Sequence, residues 1–142
     1  MGLQLPLGQV TVLLGPDRTR RRIMAALDES TGRCADGYGS VAVRRLSPSP
    51  AEDVGSRLET LVGARDSGAA IVLVDRLTDG LPGTDRRAVL TAVRSVAGPG
   101  CAVLVDDADP VAALSYADVA LRADAAGELS LEPVGGFDYL AS

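Results

Sequence analysis

Lysine and histidine are both absent from this chain of 142 residues, and aromatic residues are scarce. Without histidine there is no imidazole to act as a general base, and most zinc and transition-metal sites lose their usual ligand. One phenylalanine and three tyrosines leave little surface on which nucleic-acid bases could stack. The two cysteines, Cys34 and Cys101, are too few for a disulfide framework, which favours a reducing, cytoplasmic compartment.

Long apolar runs and an excess of positive charge are also lacking. No stretch approaches the ~20 apolar residues of a membrane helix, and no signal-peptide pattern opens the sequence, so we expect no membrane insertion. The formal net charge is −5, which disfavours binding to nucleic acid. All 14 basic residues are arginine, and with abundant alanine and glycine this is typical of a GC-rich bacterial genome.

Short apolar runs alternate with amphipathic stretches along the chain. Strands are predicted at 9–14, 40–46, 69–75, 101–105, 117–121 and 128–131, with the second at a sheet edge. Helices are predicted over about 19–27, from about 51 to 62, over 84–97 and from 110. This alternation predicts an α/β fold of three layers, in which helices cover both faces of a mostly parallel sheet. We expect one domain over residues 1–134, followed by a tail at 135–142.

Capping residues and apolar faces can be assigned to these helices. Asp17, Thr84 or Asp85, and Asp109 stand where N-caps of three helices are expected, and Pro110 follows the last of them. The second helix is predicted to bury a face made of Val54, Leu58, Leu61 and Val62. The third is predicted to bury a face made of Val89, Leu90, Val93, Val96 and Ala97.

Three apolar strands end at Gly15, Asp75 and Asp106, in an order that resembles the nucleotide-binding domain of ABC transporters. The segments that carry this resemblance are LQLPLGQVTVLLGP, IVLVDRLTDGLP, AVLVDDADP and SYADVALRADAAGEL. The resemblance spans about residues 3–132 and implies a P-loop NTPase-like fold of a reduced ABC type. It also implies a phosphate loop after the first strand and a Walker B carboxylate at Asp75.

The positions that carry this family's chemistry hold other residues here. A phosphate loop needs glycines for close backbone approach, a lysine for the phosphates and a hydroxyl for Mg²⁺. The resemblance places Arg18 and Arg20 at the glycine positions, Arg21 at the lysine and Arg22 at the hydroxyl. Arginine side chains would crowd the backbone approach, and arginine cannot ligate magnesium.

Further elements of the family's machinery are missing. Arg76 stands at the catalytic glutamate and Ala108 at the switch histidine, and no LSGGQ-like signature is recognisable. Only 42 residues lie between Leu27 and Ala70, too few for the family's helical subdomain. The resemblance therefore implies a degenerate ATPase without hydrolysis by the family's mechanism. It also implies an exposed sheet edge, which a homodimer or another protein would cover.

Gly15 and four arginines (Arg18, Arg20, Arg21, Arg22) form a candidate anion or phosphate site. Basic residues at a helix N-terminus oppose the helix dipole, so they need an anion or carboxylates nearby. A nucleotide phosphate would supply the anion in one interpretation. In the other, the protein's own acids neutralise the arginines.

Asp75, Asp106 and Asp107 lie at the carboxyl ends of strands, where doubly wound sheets bind ligands. We expect one or more of Arg18, Arg20 and Arg21 to pair with Asp75 or Asp107. Alternatively, the three aspartates with Asp109 would hold Mg²⁺ or Ca²⁺.

Three functions fit these observations. The first is a non-catalytic protein-interaction, scaffold or regulatory module that needs no cofactor. The second is a nucleotide- or anion-binding protein without efficient turnover, in which Arg21 holds the phosphates of ATP and Asp75 an associated Mg²⁺. The third is an enzyme with displaced catalytic residues, for which Asp106, Asp107 and Asp109 are the acid/base candidates.

Overall fold

The computed structural model describes residues 5–27, 43–49, 52–124, 126 and 128–134. Their ten elements are β1 (Val10–Leu14), α1 (Asp17–Ala26), β2 (Val43–Leu46), α2 (Val54–Asp66), β3 (Ile71–Asp75), α3 (Gly83–Val96), β4 (Ala102–Asp106), α4 (Pro110–Leu114), β5 (Val119–Ala123) and β6 (Leu129–Pro133). The predicted tail at 135–142 and the predicted strand residues 40–42 lie outside the described residues.

Within the described residues, six strands form one sheet in the order β2-β3-β4-β1-β5-β6. The first five run parallel, and β6 pairs antiparallel with β5, which confirms the mostly parallel sheet predicted from the sequence. In this described sheet β2 is an outer strand, as predicted from the sequence. β1 lies inside the sheet between β4 and β5, and all five of its residues are buried.

Side chains alternate between the two faces of the sheet and fill two cores. One face packs against α2, α3 and α4, and its strand residues are Val10, Val12, Leu14, Leu46, Val72, Val74, Val103, Val105 and Ala120. The other face packs against Met24 of α1, and its buried strand residues are Leu13, Leu73, Leu104 and Leu121. Helices therefore cover both faces, and the three predicted layers are confirmed.

The predicted N-caps of two helices are wrong. α1 starts at Asp17 itself and α3 at Gly83, so Asp17, Thr84 and Asp85 all lie inside the first turn. A proline precedes each helix at the cap position, and neither helix has a side-chain cap. At α4 the prediction is confirmed, because the Asp109 carboxylate accepts a hydrogen bond from the Ala112 amide at 3.1 Å.

The buried face of α2 includes a charged residue that hydrophobic spacing missed. Arg57, Leu61 and Ala64 are buried, whereas Val62 is 46% exposed, so the assignment of Val62 to the inner face is wrong. The Arg57 guanidinium donates to the carbonyl oxygens of Glu52, Leu77 and Asp79, with a distance of 3.0 Å to that of Leu77. Arg57 thereby ties α2 to the turn after β3, at the carboxyl edge of the sheet.

Candidate functional site

The connection from β1 to α1 consists of Gly15 and Pro16 alone. Gly15 has φ +133°, and a Cβ there would lie 2.3 Å from the carbonyl oxygen of Ala123. This glycine is therefore required by the close approach of β5, independently of any ligand. α1 begins at Asp17, so Arg18, which the resemblance placed in a phosphate loop, lies in regular helix.

Arg20 fills the space beside this short connection. Its side chain is 5% exposed, and its guanidinium donates to four acceptors. These are the carbonyl oxygens of Gly15 at 3.0 Å and of Asp107 at 2.9 Å, the Asp17 carboxylate at 3.2 Å and the Asp106 carboxylate. The buried charge of Arg20 is thus neutralised by this chain's own acids.

Arg76 holds the same two carboxylates from the other side. Its Nε lies 3.3 Å from Oδ2 of Asp106, and its Nη2 donates to Asp17. Arg76 is the non-glycine residue with positive φ in the described chain (+58°), and its amide donates to the Asp106 carbonyl at 2.8 Å. This backbone turns the side chain toward the strand ends. We name the four residues Arg20, Arg76, Asp17 and Asp106 the strand-end ion network.

Asp106 is the buried acid of this network. Its side chain is 1% exposed and faces both guanidiniums. Burial raises the pKa of the Asp106 carboxyl above its ordinary value, and the charges of Arg20 and Arg76 act in the opposite direction. The two arginines are therefore needed to keep a carboxylate at this depth.

Asp17 is the exposed acid of the network, and its titration gives a direct test of the geometry. The hydrogen bond from Arg76 lowers the pKa of the Asp17 carboxyl below 3.8, against a smaller opposing effect of desolvation. Because this pKa is lowered in the folded state, the associated stability is present above pH ~3.8 and is lost as the pH falls through the folded value. We expect carboxyl ¹³C NMR to place the Asp17 midpoint below 3.8, and Arg76→Gln to raise it. An unchanged midpoint in the variant would contradict the contact.

The expected pairs from Arg18, Arg20 or Arg21 to the side chains of Asp75 or Asp107 do not form. Asp75 pairs with Arg45 at 2.8 Å and Asp107 with Arg86 at 3.1 Å. Strand alternation is the reason. Asp106 follows Leu104 onto the α1 face, whereas Asp107 follows Val105 onto the opposite face and meets α3.

Asp75 and Asp106 are opposite each other on β3 and β4, but Asp107 does not join them. Within the part of the chain that the structure describes, no group of three acidic, cysteine or histidine residues converges as a metal-binding set. Each of the three candidate metal ligands, Asp75, Asp106 and Asp107, is instead paired with an arginine. Asp109, the fourth candidate ligand, caps α4.

The candidate anion residues also divide into two groups. Arg20 is buried, while Arg18, Arg21 and Arg22 are exposed on α1. Arg21 lies 3.1 Å from Asp17, and its side chain is 68% exposed. The five residues proposed from the sequence therefore do not converge on one point.

Arg45 and Arg86 are site residues that the sequence analysis missed. Arg45 lies on β2, the strand predicted at a sheet edge. Its guanidinium donates to the Asp75 carboxylate and to the carbonyl oxygens of Met24 and Leu27 at the end of α1. The alternation of side chains along β2 could have identified Arg45 as inward-facing, because it shares a face of the strand with the inward-facing Val43. Arg86 lies one turn into α3, and its partner is 21 residues away in sequence.

No protein-family model matches the chain, and no curated protein sequence does. Solved structures do match its fold. An inward-facing ABC transporter described as of the metal-chelate type has a TM-score of 0.62 at 12% identity. The match covers 96% of this chain and 76% of the transporter's chain. The ATP-binding subunit of an ABC transporter has a TM-score of 0.61 at 8% identity, and the match covers 98% of this chain and 84% of the subunit.

A dimeric ATP-binding cassette in a post-hydrolysis state, bound to ADP and phosphate, is similar at a TM-score of 0.62 and 8% identity. It covers 93% of this chain and 88% of its own length. At these identities the comparison shows the fold alone: a mostly parallel α/β sheet like that of ABC ATP-binding domains. None of the helices in the described ranges is long and apolar enough to cross a membrane.

Proposed function

We propose that this chain is a non-catalytic domain with an ABC ATP-binding fold that acts as a protein-interaction, scaffold or regulatory module. The observation that carries the proposal is the buried Arg20 guanidinium, which donates to Asp106, Asp17 and two backbone carbonyls at the strand ends. A nucleotide's phosphates would have to displace these bonds.

The ion pair between Arg20 and Asp106 is energetically favoured over binding of a phosphate by Arg20. Moving Arg20 toward a phosphate would leave Asp106 buried with one fewer cation, and breaking a buried ion pair costs roughly 3–5 kcal/mol. The Asp106 carboxylate would also repel the phosphate. Because only two residues separate β1 from α1, the chain has little loop with which to cradle an anion.

A partner is part of this proposal. β6 is an outer strand of the described sheet, and its Leu129 and Leu131 are 40% and 46% exposed. Apolar side chains on an edge strand favour association with another surface. One of the similar structures is a dimer, so we propose a second copy of this chain or another protein as the partner.

A second candidate is a nucleotide- or anion-binding protein without efficient hydrolysis. Its support is the exposure of Arg18, Arg21 and Arg22 along α1. In this candidate Arg21 would bind phosphates at the surface, outside the strand-end ion network.

The test is a titration with ATP, ADP and GTP, with and without Mg²⁺, by thermal shift and calorimetry. A ligand at 100 times its Kd would add ~2.7 kcal/mol of stability, which is several degrees for a domain of this size. We expect no stabilisation that depends on Mg²⁺ or on the base, no phosphate release, and a dimer by light scattering of the same samples.

The outcomes separate the two candidates. Mg²⁺-dependent stabilisation by ATP that Arg21→Ala abolishes would replace the first candidate by the second. The matched control is Arg94→Ala, on α3, which removes the same charge and an exposed contact to Asp118 at 3.5 Å. ATP hydrolysis by the wild-type chain would overturn both.

A further inference from the structure

A cavity of about 450 Å³ lies beside the strand-end ion network, among α1, β2 and the turn after β3. Seven residues line it: Arg21, Met24, Ala25, Arg45, Asp75, Arg76 and Asp79. This volume is within the range of pockets that bind small molecules. The cavity's three arginines pair with Asp17, Asp75 and Asp106 of this chain, and these pairs do not use all of their N–H groups.

We propose that this cavity binds a small organic anion through a carboxylate or phosphate group held by Arg21, Arg45 and Arg76. The inference goes beyond the interaction function and does not rest on it. Three guanidiniums face the cavity beside the carboxylates of Asp75 and Asp79. Each guanidinium also has an acid of this chain as its partner, so the anion would be held by the N–H groups that these ion pairs leave free. Guanidinium groups match carboxylate and phosphate oxygens in pairs of hydrogen bonds.

Two of the arginines are held in place before any ligand arrives. Arg45 is held by Asp75 and by the carbonyls of Met24 and Leu27. Arg76 is held through Nε and Nη2 by the network acids, and its Nη1 makes no hydrogen bond within the described residues. Because these side chains are already ordered, an anion would not have to immobilise them, which favours binding.

The conformation of Arg76 supports the same conclusion. A non-glycine residue at positive φ costs roughly 1–3 kcal/mol, and such residues concentrate at ligand sites. At +58°, the backbone of Arg76 places its side chain both in the network and on the cavity wall.

The rest of the lining defines the class of ligand. Ala25 supplies an apolar contact for a carbon skeleton, and Asp75 and Asp79 supply acceptors for hydroxyl or amino groups. The site therefore fits a small, polar organic acid or phosphate ester.

The test uses calorimetry with inorganic phosphate and with malonate, in Mg²⁺-free buffer at constant ionic strength. Ala25→Glu places a carboxylate in the cavity without removing any arginine contact, and Ala26→Glu is the matched control because Ala26 does not line the cavity. Both positions are exposed on α1, so both variants should fold, which circular dichroism would check. We expect at least one anion to bind wild type, a tenfold or greater loss in Ala25→Glu, and less than twofold loss in Ala26→Glu.

The two probes distinguish the sources of the anion. Binding of malonate alone supports a carboxylate ligand, and binding of phosphate alone supports a phosphate ester. Failure of both anions to bind wild type at about 10 mM would overturn the inference, as would equal weakening by the two variants. Neither failure bears on the proposed interaction function, because these titrations contain no nucleotide.

Discussion

Replacing Arg20 by methionine is expected to destabilise the fold by about 3 kcal/mol or more, because it leaves Asp106 buried and short of one cation. A loss of this size would lower the midpoint of thermal unfolding by roughly 10 °C. Urea denaturation of the variant and the wild type measures the change in the free energy of unfolding. The matched control is Arg21→Met, the next residue on α1, whose 68% exposed side chain should contribute less than about 1 kcal/mol.

A double-mutant cycle separates the ion pair from the packing of the arginine side chain. Asp106→Asn removes the charge that Arg20 neutralises, so the pair of substitutions should cost less than the sum of the two single ones. Simple additivity, or a loss below about 1 kcal/mol for Arg20→Met alone, would mean that Arg20 is not what neutralises Asp106.

Replacing Gly15 by alanine is expected to cost about 3 kcal/mol or more, since strained backbone and overpacking each contribute about 1–3 kcal/mol. The added Cβ would stand 2.3 Å from a backbone carbonyl of β5, and φ is +133°. Because the obstacle is backbone rather than a flexible side chain, the neighbouring strand would have to move. Thermal and urea unfolding measure the effect.

A second glycine provides a control of opposite sign. Gly63 lies within α2, and a Cβ there would meet nothing within 4 Å. Gly63→Ala should therefore stabilise the fold by about 0.5–1 kcal/mol through helix propensity. If Gly15→Ala were as well tolerated as Gly63→Ala, the close approach of β1 to β5 would be wrong.

Apolar patterning was sufficient to predict the framework of this fold. Val72 to Val74 and Val103 to Val105 are continuous buried runs, which is typical of central parallel strands covered on both faces. The inner face of α3 also follows directly from its spacing. Burial of apolar side chains is a local property of the sequence, and local spacing is enough to identify it.

The buried charges were harder to predict, because their partners are distant in the chain. Arg20 and Asp106 are 86 residues apart, and their contact requires β1 and β4 to be neighbours. The sequence pattern predicted arginines and aspartates at the same edge of the sheet. It predicted Asp75 or Asp107 as the partner of the arginines, whereas the carboxylate that pairs with the buried Arg20 is that of Asp106. Asp106 and Asp107 are adjacent in sequence and face opposite sides of the sheet. An error of one residue in the predicted alternation of β4 therefore changes which aspartate faces Arg20.

Arg57 shows a further limit of sequence patterning. Its position on α2 fits the inward face, but a charged residue on that face is excluded by any rule based on hydrophobicity. Its acceptors are backbone carbonyls of Glu52 and of the turn after β3, and the path of that turn is set by tertiary structure.

The interior position of β1 limits the order in which the strands of the sheet can pair during synthesis. Both neighbours of β1 are encoded far downstream, with Val10 opposite Val103 and Thr11 opposite Val119. At ribosomal rates of about 5–20 residues per second, the first strand waits several seconds for its first partner. During that interval β2 and β3, only 28 positions apart in register, have their pairing partners available already. Pairing of β2 with β3 can therefore begin before β1 has any partner, and β1 can join the sheet only once β4 has been made.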